Sequence, residues 1–258
     1  VSSIQLTNAY RTRLLSLERR VATQARSAWP TIETFDDTAW PERVGAIVTR
    51  AQTESVRATA GYMSALLRTN RKPGRVALDT SRYAGLSRDG RPITEALQTA
   101  LVGVRAALKD GRAPEVALSI GLSRGLRMAS FETVQAGRDA LLDATDEDKR
   151  FTGWQRQVSG TCAACMALSA STGPKFEVHP GCECLPLPTV AAAPKVSLPT
   201  GGSLFGALSK PEQEKAIGAE PAHLVREGEA DLKDFVGHSS LETDQPNFIT
   251  QKPVQDVA

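Results

Sequence analysis

Four cysteines and one of three histidines crowd into a single short segment: Cys162-Ala163-Ala164-Cys165, then His179-Pro180-Gly181-Cys182-Glu183-Cys184. The spacing is C-x2-C-x13-H-x2-C-x-C. A C-x2-C turn can place two thiolates on one ion, and a second pair arriving from farther along the chain completes a tetrahedron. Five donors compete for four positions. One set is Cys162, Cys165, His179 and one of Cys182 or Cys184; the other is the four cysteines, and spacing leaves both open. A structural Zn2+ suits a segment whose own core is limited to Trp154, Leu168, Phe176 and Val178, because metal ligation is itself folding free energy. A catalytic zinc fits less well, since it keeps a position open for water and usually adds carboxylates or several imidazoles. Here only Glu183 is near. A thioredoxin-like use of C-x2-C needs a strand-to-helix setting, whereas this one runs on into Met166-Ala167-Leu168-Ser169 and a loop.

The remaining chain must position that segment. With 258 residues, 41% of them apolar, it can bury a sizeable core. Aromatics are only 5%, and Ala, Leu, Arg and Thr abound, which favours long helices over a sandwich of strands. The expected fold is mainly α with a small β-containing zinc-binding module, an α+β arrangement. A formal charge of +2 makes no whole-chain case for nucleic acid or membrane. Charge is uneven, however: the first half is arginine-rich, and from Lys210 onward there are about five more acids than bases. No run approaches the ~20 apolar residues needed to cross a bilayer. The N-terminus shows no basic stretch leading into an apolar core and cleavage site, so the expectation is folding in a reducing compartment, with metal rather than disulfides on the cysteines.

Apolar periodicity predicts a helix over 3–28 through Ile4, Leu6, Leu14, Leu17, Val21 and Ala25, closed by Trp29-Pro30. A second should begin near Asp37 with Pro41 in its first turn and reach about Leu67. The basic Arg68-Thr69-Asn70-Arg71-Lys72-Pro73-Gly74 breaks it, and 75–92 reads as irregular with a turn at Asp89-Gly90. Further helices are expected from Ile93 to Lys109 and from Pro114 to about Leu142. Residues 1–147 thus form a helical N-terminal region. Residues 148–188 form the Cys/His module, entered by a short strand at 151–158 and left in extended form through Leu185-Pro186-Leu187-Pro188. A Pro/Gly-marked linker covers 189–203, a C-terminal helical segment 204–237, and a polar tail without fixed structure 238–258.

The cysteine segment and its neighbours resemble the Mu F-like minor head proteins of tailed bacteriophages. The likeness is carried by Gly153-Trp154-Gln155-Arg156, Cys162-Ala163-Ala164-Cys165-Met166-Ala167-Leu168, Phe176 and His179-Pro180-Gly181-Cys182-Glu183-Cys184. It continues more loosely through Leu204 to Leu208, Pro211-Glu212-Gln213, Ala216-Ile217-Gly218, Leu224 to Gly228 and Asp231 to Val236, so it spans roughly 125–237. The resemblance implies a minor capsid protein that works with the portal protein and the major capsid protein in head assembly. It would sit in the virion, in the capsid interior or at the portal vertex, and in the host cytoplasm during assembly, with a role in DNA packaging or ejection as an extension. Only the cysteine-histidine cluster and Trp154 carry over, as structural positions; no catalytic residue does.

Two other functions are weighed. Some phage gene arrangements fuse this module to a capsid maturation protease or other hydrolase. A Ser-His-Asp set would need His223 or His238, and neither has a nucleophile motif beside it. Gly121-Leu122-Ser123-Arg124-Gly125 matches G-x-S-x-G but falls inside an expected helix rather than a strand-to-helix turn. A non-specific DNA-binding zinc protein is the other reading. Arg68, Arg71, Lys72 and Arg75, the arginines of the first helix, and Arg150, Arg156 and Lys175 around the cluster could meet packaged DNA or an acidic partner.

Overall fold

The computed structural model describes residues 1–31, 39–160, 162–169, 176, 182–194 and 196–235. Ser2 opens the first helix, α1 (Ser3–Ser27): its hydroxyl accepts from the Gln5 N–H and the Gln5 side chain accepts from the Ser2 N–H. This reciprocal cap satisfies two donors that a helix start otherwise leaves orphaned. Tyr10, Leu14, Leu17, Val21 and Ala25 form its buried stripe, the three-and-four spacing of one helical face. α2 (Trp40–Thr69) carries Pro41 in its first turn, as expected, but Ala39 caps it without a side-chain bond. Asp37, the expected cap, lies outside the described residues. Trp40 is fully buried, donates its indole N–H to the Ala25 carbonyl at 3.2 Å and meets Trp29 edge-on at 4.8 Å.

A 3-10 turn at Thr80–Arg82 and a single antiparallel bridge, Leu86 to Pro92, order the irregular stretch that follows. The turn expected at Asp89-Gly90 is present, with the Gly90 N–H donating to the Ser87 carbonyl at 2.8 Å. α3 (Ile93–Lys109) matches its expected bounds, and α4 (Pro114–Glu147) runs a turn beyond its expected end. α4 packs against α1, α2 and α3, and α1, α2 and α3 also pair in order. It can do so because its inner stripe is small: Gly121, Gly125, Ala129, Ala136, Ala140 and Ala144. A methyl group at Gly121 would collide with Val104 Cγ2 and stand 2.9 Å from the Ala100 carbonyl oxygen. The two backbones approach that closely.

One acid breaks this stripe. Glu132 is 5% exposed, and its carboxylate accepts the Arg88 N–H at 2.8 Å. Gln52 ties the same place together, donating to the Leu86 and Glu132 carbonyls and accepting the Gly85 N–H. Burial pushes the Glu132 carboxyl up to about 7, and burial likewise pushes nearby Asp139 up to about 6. The folded chain therefore keeps a proton on Glu132 that the unfolded chain has lost near pH 4.5. That contribution to stability is complete at low pH and disappears as pH rises through about 7. Glu132→Gln keeps an acceptor for Arg88 without a charge. It is expected to leave the thermal midpoint unchanged at pH 5 and raise it by about 5 °C at pH 8, on the order of 2 kcal/mol. Melting curves at the two pH values, followed by circular dichroism, check this; an equal shift at both would contradict it.

The chain divides into two units, Val1–Phe151 and Thr152–Ala258. In the second, β1 (Phe151–Gln157) and β2 (Leu185–Val190) make a two-stranded antiparallel sheet. Both strands are edges, so Pro186 and Pro188 are tolerated where a central strand would reject them. Between them lies α5 (Ala163–Ala167); after them come α6 (Gly201–Gly206), α7 (Lys210–Ile217), α8 (Ala219–Glu227) and a 3-10 turn at Leu232–Phe235.

The expected linker of 189–203 is shorter in the structure. Thr189 and Val190 stay in β2, and Thr200 caps α6 by accepting the Ser203 N–H, which draws Gly201 and Gly202 into the helix. Nor does one helix follow. Ser209 and Glu212 form a reciprocal cap that starts α7, and buried Gln213 donates to the Phe205 and Leu208 carbonyls while accepting from Arg226. These bonds fold the segment into three short helices. Their core joins Phe205, Ile217, Ala222 and Leu232 to Ala163 and Met166 of α5, so the helical segment and the cysteine segment share one interior. The tail from 236 lies outside the described residues.

Candidate metal centre

α5 is too short to be stable alone. Its sequence gives it two occupied faces: Ala163 and Met166 pack into the helical core, and Cys165 turns to the opposite task. Cys162 sits at its N-cap, with the Met166 N–H donating to the Cys162 carbonyl at 3.0 Å. Cys182 and Cys184 arrive immediately before β2. The sheet and α5 thereby bring the sulfurs of Cys165, Cys182 and Cys184 within 4.8 Å of one another, all three buried. Cys165 and Cys182 are 3.5 Å apart, and Cys162 is a hydrogen-bonding neighbour of Cys165.

Four thiolates at about 2.3 Å from a tetrahedral ion lie about 3.8 Å from each other. The observed spread fits that requirement, and no pair is bonded as a disulfide. The electrostatics point the same way. The neighbouring sulfurs of Cys162, Cys182 and Cys184, with burial, push the Cys165 thiol far up. Cys184 is pushed up to about 11: the Cys165 hydrogen bond pulls down, while the Cys182 sulfur and burial push up more strongly. The Ser159 backbone N–H is also directed at Cys184. Such a cluster resists ionising by itself, and a dication removes the mutual repulsion. The described residues could hold a metal ion here.

The same unit holds a miniature aromatic core. Trp154 and Arg156 alternate onto one face of β1 and meet the same ring from two sides. Trp154 stacks edge-on to Phe176 at 5.1 Å, and the Arg156 guanidinium lies over it at 4.0 Å. All three are at most 5% exposed. Such a desolvated cation–π contact is worth about 2 kcal/mol. Arg156 was expected to be available to DNA beside the cluster. The structure corrects this, because a side chain two positions from Trp154 in a strand shares its buried face. Arg150 is also occupied, paired with Asp148 at 2.6 Å and donating to the Pro73 and Arg75 carbonyls.

The structure unites Cys165 with both Cys182 and Cys184, where the first expected ligand set used only one of that pair. His179, Val178, Lys175 and His238 lie outside the described residues. His223 is exposed on α8, 3.7 Å from Glu227. Gly121-Leu122-Ser123-Arg124-Gly125 is an interior segment of α4, with Gly121 and Gly125 turned into the helix packing. Arg68, Arg71 and Arg75 are exposed and Lys72 half-buried, all in the first unit. Sequence reading missed Gln213 as a buried staple and Glu132 as a buried acid. No helix among the described residues is long and apolar enough to cross a membrane. Compared with known protein families, curated proteins and solved structures, the chain matches none.

Proposed function

We propose that this chain is a structural minor capsid protein of a tailed bacteriophage, acting with the portal protein and the major capsid protein in head assembly. Zinc is the ion proposed for the cysteine cluster, because buried thiolates at tetrahedral spacing select it. Cys162 serves as the fourth donor among the described residues. One observation carries the reading: cysteines on which the Mu F-like resemblance rests converge at a single point, and Trp154 and Phe176 of the same resemblance pack edge-on within the same unit. The ion's role is to fix the shape of a small module, which then serves as a rigid contact surface rather than a catalyst.

The reading is tested by co-expressing the tagged chain with a portal protein of a tailed bacteriophage from the same genome and sedimenting the lysate. Co-sedimentation with assembled portal rings, reduced at least tenfold in the Cys165→Ser variant, is expected. A chain that sediments alone under these conditions overturns the assembly role. Self-cleavage abolished by His223→Ala would instead establish the protease reading.

A further inference from the structure

The turn after α2 concentrates positive charge that the protein does not use internally. From Ser55 to Leu78 there is no acidic residue, while Arg57, Arg68, Arg71, Lys72 and Arg75 all fall there. Several exposed arginines of this unit lie in ion pairs: Arg13 and Arg20 with Glu54, Arg82 with Asp143 and Glu147, and Arg91 with Asp89. Among the described residues, the side chains of Arg68, Arg71, Lys72 and Arg75 make no such pair.

The turn is also built rather than loose. The Lys72 N–H donates to the Leu67 carbonyl at 2.8 Å, and the Val76 N–H donates to the Ser64 hydroxyl at 2.9 Å. Arg150 clamps the far side by donating to the Pro73 and Arg75 carbonyls. Gly74 permits this, since a side chain there would stand 2.7 Å from the Arg150 guanidinium, and its φ is +92°. Cations at a helix C-terminus favour the helix dipole, which accounts in part for Arg68 and Lys72. It does not account for Arg71. Its φ of 56° is left-handed, a conformation in which glycine or asparagine costs less. An arginine kept at strained backbone within a rigid, acid-free turn points to a ligand for its charge.

We propose that the turn Arg68–Arg75 docks on the phosphate backbone of duplex nucleic acid. Four cations on a short fixed loop match closely spaced phosphates, and guanidinium pairs with phosphate in a bidentate way. No aromatic side chain is interleaved with them, so base stacking on a single strand is not the mode. Nor does a helix face present a base-reading set, so the contact is independent of sequence. This inference uses only residues of the first unit and does not rest on the capsid reading or the metal.

Fluorescence anisotropy of the full-length chain with labelled 20-base-pair duplexes, one DNA and one RNA, tests it across a salt series. Each phosphate contact contributes about −0.9 to the slope of log affinity against log salt, so four contacts weaken DNA binding about 150-fold between 50 and 200 mM salt. In the Arg68→Gln/Arg71→Gln/Arg75→Gln variant the same salt change should weaken it only about fourfold. Arg71→Gly supplies a separate readout. It should flatten the slope by about 0.9 while raising the thermal midpoint, because the strain is removed as the charge is lost. An unchanged slope in the triple variant, or no binding to either duplex at 50 mM salt, overturns the proposal.

Discussion

Cys165→Ser is expected to leave the purified chain without its ion and to unfold α5 and the two-stranded sheet, with α1 to α4 still helical. Cys165 is the sulfur in contact with each of the other three, so removing it opens the coordination shell at its centre. Serine oxygen is a poor replacement for thiolate on zinc. Apparent binding free energies for structural zinc reach about 10–16 kcal/mol, far more than a five-residue helix and two strands can supply unaided. Loss should extend to α6 through α8, because Ala163 and Met166 of α5 are members of their core. The first unit has its own interior around Trp40, Val44, Leu97 and Ala129 and should be spared. Two measurements check this together: zinc per chain falling to about 0.1 or less, and loss of amide-exchange protection in 152–235 with 1–151 retained. Uniform protection throughout would show that the sulfurs do not support the unit.

Gly121→Ala should lower stability by about 2 kcal/mol, although alanine is the better helix former by nearly 1 kcal/mol. The added methyl would stand 2.9 Å from the Ala100 carbonyl oxygen. That atom belongs to the α3 backbone and cannot rotate aside as a side chain can. The helices must separate, and contacts along the small-residue stripe of α4 are lost with them. Gly61→Ala is the control. Gly61 lies within α2 with nothing inside 4 Å of its added carbon, so only the propensity gain remains. The thermal midpoint should fall about 4–8 °C for Gly121→Ala and rise about 2–4 °C for Gly61→Ala. Two rises would mean that α3 and α4 do not approach each other as described.

The helical frame was legible because its signals are local. The stripe Leu14, Leu17, Val21 and Ala25 marks α1, and the stops at Arg68 to Gly74 and at Asp110-Gly111 bound α2 and α3. The sulfur spacing was legible for the same reason, since a C-x2-C turn sets its own geometry. What escaped depends on partners distant in the chain. Arg156 reads as a surface charge until Phe176 is placed over it. The glycine pair Gly201-Gly202 reads as a linker until Met166 is found beside it; a side chain at Gly201 would collide with the Met166 carbonyl oxygen. Glu132 sits on an apolar stripe, a position that pattern alone would fill with alanine or leucine, and only the Arg88 N–H explains what receives it. Spacing could not choose among five donors for the same reason: whether Cys182 and Cys184 both face Cys165 is decided by how β2 pairs with β1.

Native mass spectrometry of freshly purified, fully reduced protein tests the central claim most directly. The account predicts a single species carrying one zinc ion per chain, released on acidification. A reduced chain that is folded and metal-free, in buffers supplied with zinc, would contradict it.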